Sequence, residues 1–374
     1  MNAIKSQLFY IAPVVVALSI ASPVVSALTF NFNSTGNASA DAAFQAAGNL
    51  WSSVLTDNVT VNINVGFTAL GAGILGSTGS TKGTVLYSDF SSVLAADQTS
   101  AFDDIAVDHL STGSSFGMLI NGTFNNPNGF GSTTYYLDQD GDANNSKITL
   151  TTANAKALGF YVDPAVFGAY DANITFSSSF TWDFNDADGI TAGAFDFIGI
   201  AAHEIGHALG FISGVDILDD ESPNGTTYYP DDQFTYVSPV DLFRYSTDSI
   251  ALGVIDWTAD TREKYFSIDG GTTALVTFAT GKVHGDGRQA SHWEDNLGLG
   301  LMDPTASSGE FLKITANDLI AFDVIGWDLR LISQTVSEPS ILTLLLAGFA
   351  SIMASLQQIF SKCSIKECDT PIAN

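Results

Sequence analysis

The sequence predicts an α+β fold: a twisted mixed β-sheet, one helix buried in the core, and a smaller C-terminal subdomain that carries a further helix. Three observations lead there. Apolar residues recur at helical spacing from Ser39 to Leu55, and the strict alternation Val59-Thr60-Val61-Asn62-Ile63-Asn64-Val65 follows at once; these two periodicities distinguish a helix from a half-buried strand. The stretch from Phe195 to Phe211 is small or apolar at nearly every position, as a helix covered on all sides must be. No internal repeat of useful length divides the chain, so a repeat architecture is not expected.

The elements can be taken in order. Ala43, Phe44, Ala47, Leu50, Trp51 and Leu55 mark the first helix, and Val59 to Val65 the first strand. Gly- and Ser-rich turns are expected between Leu70 and Gly83. Further strands are expected at Gly117 to Ile120, Thr134 to Leu137, Lys147 to Thr151 and Ile174 to Asp183, with a short helix from Ala153 to Leu158. Asp196 stands where it can cap the buried helix, after the Asp188-Gly189 turn. Late in the chain, Thr315-Ala-Asn-Asp318 reads as a capping box opening a helix that ends at Gly326-Trp327.

Charge narrows the partners. The 374 residues carry 40 acids against 13 bases, a formal net charge of −27. A surface that negative repels nucleic acid and anionic membrane, so neither is an expected partner. Some of the acids could hold calcium. Asp138-Gln-Asp140-Gly-Asp142-Ala-Asn144 puts oxygen side chains at alternate positions around a glycine, like the front half of a calcium loop. The twelfth position is Thr149, not an acid, which excludes an EF-hand and leaves a plain turn or a different calcium site.

Both ends look like processing signals. Lys5 precedes an apolar run from Leu8 to Ala21, and Val25-Ser26-Ala27 offers a cleavage site after Ala27. The expected division is therefore a signal peptide at 1–27, a body of two subdomains at 28–211 and 212–331, and a tail at 332–374. In that tail Ser337-Glu338-Pro339-Ser340 leads into an apolar segment from Ile341 to Ala354, then Lys362 and Lys366. This order resembles the PEP-CTERM sorting tail of exported bacterial proteins, which implies attachment at a membrane or cell surface; a buried or amphipathic helix is the other reading. The only cysteines, Cys363 and Cys368, lie here. None in the body can ligate a metal or act as a nucleophile.

The chemistry sits in the buried helix at His203-Glu204-Ile205-Gly206-His207. Residues four apart share a helical face, so His203 and His207 can present two imidazoles to one ion. Glu204 lies beside that face and is free to act as a base toward a metal-activated water. Three ionisable groups in an apolar helix are costly to bury unless they share a site. Two imidazoles with an open position suit Zn²⁺. Gly210 allows the helix to stop three residues later. The histidine and glycine spacing resembles the metzincin motif, which implies a third histidine at position 213; this chain has Ser213, a poor ligand for zinc, so the site cannot be completed locally. His109, His284, His292 and Asp216 are the remaining choices; His109, beside Asp108, reads as structural.

His292-Trp293 lies ten residues before Met302-Asp303-Pro304. With the HEIGHALGF segment from His203 to Phe211, this arrangement resembles the leishmanolysin-like metzincins, and their smaller exported bacterial branch more than the cysteine-rich protozoan enzyme. Tyr265-Phe266-Ser267 and Gly270-Gly271 look like the run-up to that histidine. The resemblance implies a metzincin-type zincin fold, His292 as third zinc ligand and Met302 as the apolar floor of a Met-turn. It also implies hydrolysis of peptide bonds in a protein or peptide substrate, with Glu204 as general base. In such a fold a peptide pairs with an edge strand above the cleft, and the strand around Ile174 to Phe180 is the expected edge. Two other classes compete: a zinc-holding surface or adhesion protein that no longer cuts, and a calcium-stabilised binding module in which the histidine spacing is accidental.

Overall fold

The computed structural model describes residues 27–128, 134–222 and 229–330. The chain is α+β. It begins with β1 (Thr29–Phe32), α1 (Ala38–Ser52), β2 (Thr60–Thr68), β3 (Gly76–Ser80), β4 (Lys82–Leu86), α2 (Tyr87–Asp97) and α3 (Ala101–Asp108). Next come β5 (Met118–Ile120), β6 (Tyr136–Asp138), β7 (Lys147–Thr151), α4 (Thr152–Ala157), α5 (Pro164–Phe167), β8 (Ala172–Ser177), β9 (Trp182–Asp183) and β10 (Phe195–Asp196). The buried helix is α6 (Phe197–Leu209), followed by α7 (Val215–Glu221), β11 (Arg244–Tyr245), α8 (Thr247–Leu252) and β12 (Ile255–Asp256). The described chain closes with β13 (Lys264–Phe266), β14 (Val276–Phe278) and α9 (Ala316–Asp323).

The main sheet is mixed, in the order β1-β2-β8-β3. β1, β2 and β8 are parallel neighbours, and β3 pairs antiparallel with β8. The expected edge strand is therefore corrected. Residues from Ile174 lie in β8, which has neighbours on both sides, and β3 ends the sheet. The stretch read as turns between Leu70 and Gly83 contains this strand and the start of β4. The strand expected from Ile174 to Asp183 is broken into β8 and β9.

Helix α6 packs against both α1 and the sheet, and α1 also touches the sheet directly. Phe44 of α1, Phe176 of β8 and Phe197 of α6 meet with ring centroids 5.4, 5.0 and 4.4 Å apart, at separations typical of packed aromatic pairs. The Trp51 indole of α1 donates 2.8 Å to the Ala202 carbonyl, and the Trp327 indole 2.9 Å to that of Leu209. Both tryptophans are buried, so each polar tip finds a partner in the helix it packs on. Asp196 caps α6 as expected, its carboxylate accepting from the Gly199 amide at 2.9 Å. At the other end Gly210 takes φ +126°, a conformation that favours glycine, and the helix stops there.

Beyond α6 the chain returns to what precedes it. β12 pairs in parallel with β5, and the Thr149 amide donates 2.8 Å to the Val237 carbonyl. The described residues through Arg330 consequently form one compact unit across the expected boundary at Phe211. The expected final helix is α9, ending at Asp323, three residues before Gly326. The expected export signal, Ala27 apart, and the expected tail lie outside the described residues. No helix among the described residues is long and apolar enough to cross a membrane.

Candidate metal centre

His203 and His207 project from one face of α6, and the loop after β14 brings His292 to them. Their ligating atoms lie within 4.8 Å of one another. His207 Nε2 stands 3.1 Å from His203 Nε2 and 3.2 Å from His292 Nε2.

The hydrogen bonds at the other ring nitrogens decide what these distances mean. His203 Nδ1 lies 2.7 Å from the Leu301 carbonyl, His207 Nδ1 2.7 Å from the Phe211 carbonyl, and His292 Nδ1 3.2 Å from the Gln289 carbonyl. A carbonyl only accepts, so each Nδ1 carries a proton, and a ring without a second proton turns a bare Nε2 lone pair inward. Three lone pairs at this spacing repel one another unless a cation sits among them. Zinc–nitrogen bonds of about 2.0–2.1 Å in a tetrahedral site hold nitrogens about 3.3 Å apart. The donor set fits such an ion, and three imidazoles lie close enough to bind a metal.

Electrostatics agrees. Burial holds the His207 imidazole down to about 3, aided by His203 and Lys82 and opposed by its bond to Phe211. Burial, then His207 and His203, depress His292 well below the ordinary histidine range. Both rings are thereby kept neutral, as metal binding requires.

Glu204 does not join the triad. Its side chain is buried against β3, where Thr78 Oγ1 lies 2.6 Å from its Oε2 and 2.9 Å from its main-chain oxygen. Burial raises its pKa, while His203 and the Thr78 hydroxyl oppose the rise. A Cβ on Gly76 would meet Glu204 Oε1 at 2.5 Å, so a glycine there leaves room for the carboxylate. Ser80, on the same strand, donates 3.1 Å to the His207 carbonyl.

The third histidine is positioned by α9. Asp318 Oδ1 accepts from the Trp293 indole at 2.9 Å and the Met302 amide at 3.2 Å, and its Oδ2 from the Leu301 amide at 2.7 Å and the Thr315 amide at 2.8 Å. Met302 is fully buried, and its Sδ would lie 2.5 Å from a Cβ placed on Gly206. The methionine thus fills the hollow that this glycine leaves in α6.

The other expected candidates are occupied elsewhere. Ser213 Oγ donates 2.6 Å to Asp241. Asp216 accepts 2.6 Å from the Ala290 amide, fastening the loop before His292 instead of ligating. His284 Nε2 bonds the Ser222 carbonyl, and His109 Nδ1 lies 2.7 Å from the Ile105 carbonyl. In the loop expected to bind calcium, Asp140 accepts from the Asp142 amide, Asp142 from the Asn144 amide, and Asp138 from the Asn144 side chain. Among the described residues Asp138, Asp140 and Asp142 do not converge as the three histidines do, and the buried Asn144 Oδ1 has no hydrogen-bond partner. The sequence reading missed Thr78, which lies in a Gly-Ser stretch without apolar pattern. It saw Asp318 only as a cap.

The chain matches no known family model, no curated protein and no solved structure.

Proposed function

We propose that this chain is an exported zinc-dependent endopeptidase on a metzincin-type scaffold of the leishmanolysin-like kind. One observation carries the reading: three imidazoles turn their Nε2 atoms to a common point, with the Glu204 carboxylate on the neighbouring helical position. A purely structural site has no need of that acid. Met302 under α6 and the His292-Trp293 pair support the metzincin assignment. The apolar N-terminal run with its small-residue cleavage site supports export.

Zinc held by His203, His207 and His292 would supply Lewis acidity, polarising the scissile carbonyl and making a water reactive near neutral pH. The protein supplies the rest. Glu204 takes the proton of the attacking water and returns it to the departing amine. Thr78 holds Oε2, leaving Oε1 for that exchange. β3 ends the sheet beside Glu204, so an extended peptide can add to it as a further strand.

Metal analysis of purified protein and cleavage of a denatured protein test this reading together. The expected result is stoichiometric zinc, cleavage by the wild type, and a Glu204→Ala protein that keeps zinc but does not cut. A zinc-replete wild type without cleavage would instead make the chain a zinc-holding scaffold, and absence of zinc would remove both readings.

A further inference from the structure

A cavity of about 330 Å³ lies beside the segment that directly follows Phe211, and its lining includes none of the three histidines. One wall is the β4–β7 ribbon. Its register pairs Thr84 with Thr149 and Leu86 with Lys147, so Lys82, Thr84, Lys147 and Thr149 share one face, and all four line the cavity. The opposite wall includes Ile212 and Tyr236. Ile212 directly follows Phe211, whose carbonyl bonds His207. Lys82 lies two residues beyond Ser80, which bonds the His207 carbonyl.

The two lysines have no ion pair among the described residues. Lys156 is paired with Asp171 and Lys264 with Asp260, in a chain where acids outnumber bases 40 to 13. Shortage of carboxylates therefore cannot explain why Lys82 and Lys147 lack one. Lys82 is also partly withdrawn from water; burial lowers its pKa, opposed by the charge of Asp216. A half-buried ammonium without a counter-ion is costly, and an arriving carboxylate relieves that cost. The hydroxyls of Thr149 and Ser213 already donate to Thr235 and Asp241, which leaves the ammonium groups as the strong free donors. The lining also includes the exposed Asp232, whose charge works against an anion near it.

We infer that this cavity is a substrate pocket that selects a carboxylate, with Lys82 as its principal recognition group and Lys147 as the second. The inference rests on the peptidase reading and specifies its substrate class: peptides bearing an acidic group beside the bond presented to the metal. Two sources share that chemistry, an Asp or Glu side chain and a free peptide C-terminus. A volume near 330 Å³ has room for an acidic side chain or a terminal residue.

The test uses capped, C-terminally amidated peptides identical except for Glu, Gln or Lys at one position, and the Gln peptide with a free C-terminus. Two quantities are read: kcat/KM on the zinc-loaded wild type, and Kd by calorimetry on Glu204→Gln, which does not depend on turnover. The amidated Glu peptide should be favoured over Gln by about tenfold, the scale of one charge-assisted hydrogen bond. Lys82→Met should remove most of that preference, and Lys82→Glu should turn it toward Lys. Preference for the free C-terminus alone would assign the pocket to the terminal carboxylate. Equal binding of all four peptides to the full-length protein overturns the inference without need of a Lys82 variant. So does a Glu preference that survives in a folded, zinc-replete Lys82→Met. A Glu preference in Kd with no cleavage by the wild type would keep the pocket and remove the peptidase.

Discussion

The Asp318 carboxylate accepts the Trp293 indole N–H at 2.9 Å, although the two residues lie on different elements and neither touches the metal position. The same carboxylate receives the amides of Leu301 and Met302. Leu301 in turn accepts His203 Nδ1, and Trp293 follows His292. One side chain at the start of α9 thus sets the orientation of two of the three imidazoles.

Asp318→Asn keeps the size of this group but removes its charge and converts one acceptor into a donor facing amide N–H groups. Groups that orient ligands typically contribute 10–100-fold to metal affinity. Zinc affinity measured by competition with a chelator should fall by about that range, with His203, His207 and His292 all intact. Unchanged affinity would show that the loop holds itself.

Gly206 offers a second test. A Cβ there would overlap Met302 Sδ at 2.5 Å, and Met302 is fully buried with no open side to move into. Gly206→Ala should cost about 1–3 kcal/mol as overpacking, despite the higher helix propensity of alanine. Thermal unfolding checks it. Met302→Ala alone should cost about 2–5 kcal/mol, and adding Gly206→Ala to it should cost less than in the wild type, because the clash disappears with the sulfur.

Much of this centre can be read from sequence because its parts are contiguous. His203, Glu204 and His207 lie within five residues, Asp196 and Gly210 bound the helix they occupy, and Trp293 and Met302 flag the distant His292. β3 could not be read that way. Gly76-Ser77-Thr78-Gly79-Ser80 has no apolar alternation, since it ends the sheet and its pairing is supplied by β8. Glycine is needed at 76 for a reason visible only in three dimensions, the nearness of Glu204. The edge was assigned to Ile174–Phe180 because apolar residues announce a strand most strongly where it is most buried. Lys82 was passed over for a similar reason: its lack of a partner is a property of the fold.

Thr78→Val tests how the base is held. Valine keeps the shape of threonine but cannot donate to Glu204 Oε2, now 2.6 Å from the hydroxyl. The carboxylate should lose its fixed position, and kcat should fall by about tenfold, the scale of one hydrogen bond to a charged group. KM and zinc content should change little, and Thr78→Ser should restore most of the rate. A loss confined to KM would instead assign Thr78 to substrate binding.

The last prediction concerns acids remote from the metal. Asp57, Asp97 and Asp323 are each raised to about 7, chiefly by burial, with the charge of Asp328 adding to each. Thr99 donates to Asp328 and Ser100 to Asp323, but no lysine or arginine is paired with these acids among the described residues. Raised folded-state values mean that the native protein holds protons which the unfolded chain has released above about pH 4. The contribution of these groups is fully favourable below that pH and is lost as pH climbs through about 7. Asp97→Asn removes one of the mutually repelling charges while leaving the metal centre untouched. In buffer without added divalent cations, its melting temperature should lie close to that of the wild type near pH 4 and exceed it by several degrees near pH 8, about 2–4 °C for each kcal/mol recovered. Comparing variant with wild type at each pH cancels any pH dependence of metal binding at the three histidines, which is common to both. A gain that is the same at pH 4 and pH 8 would show that these carboxylates do not titrate together in the native state.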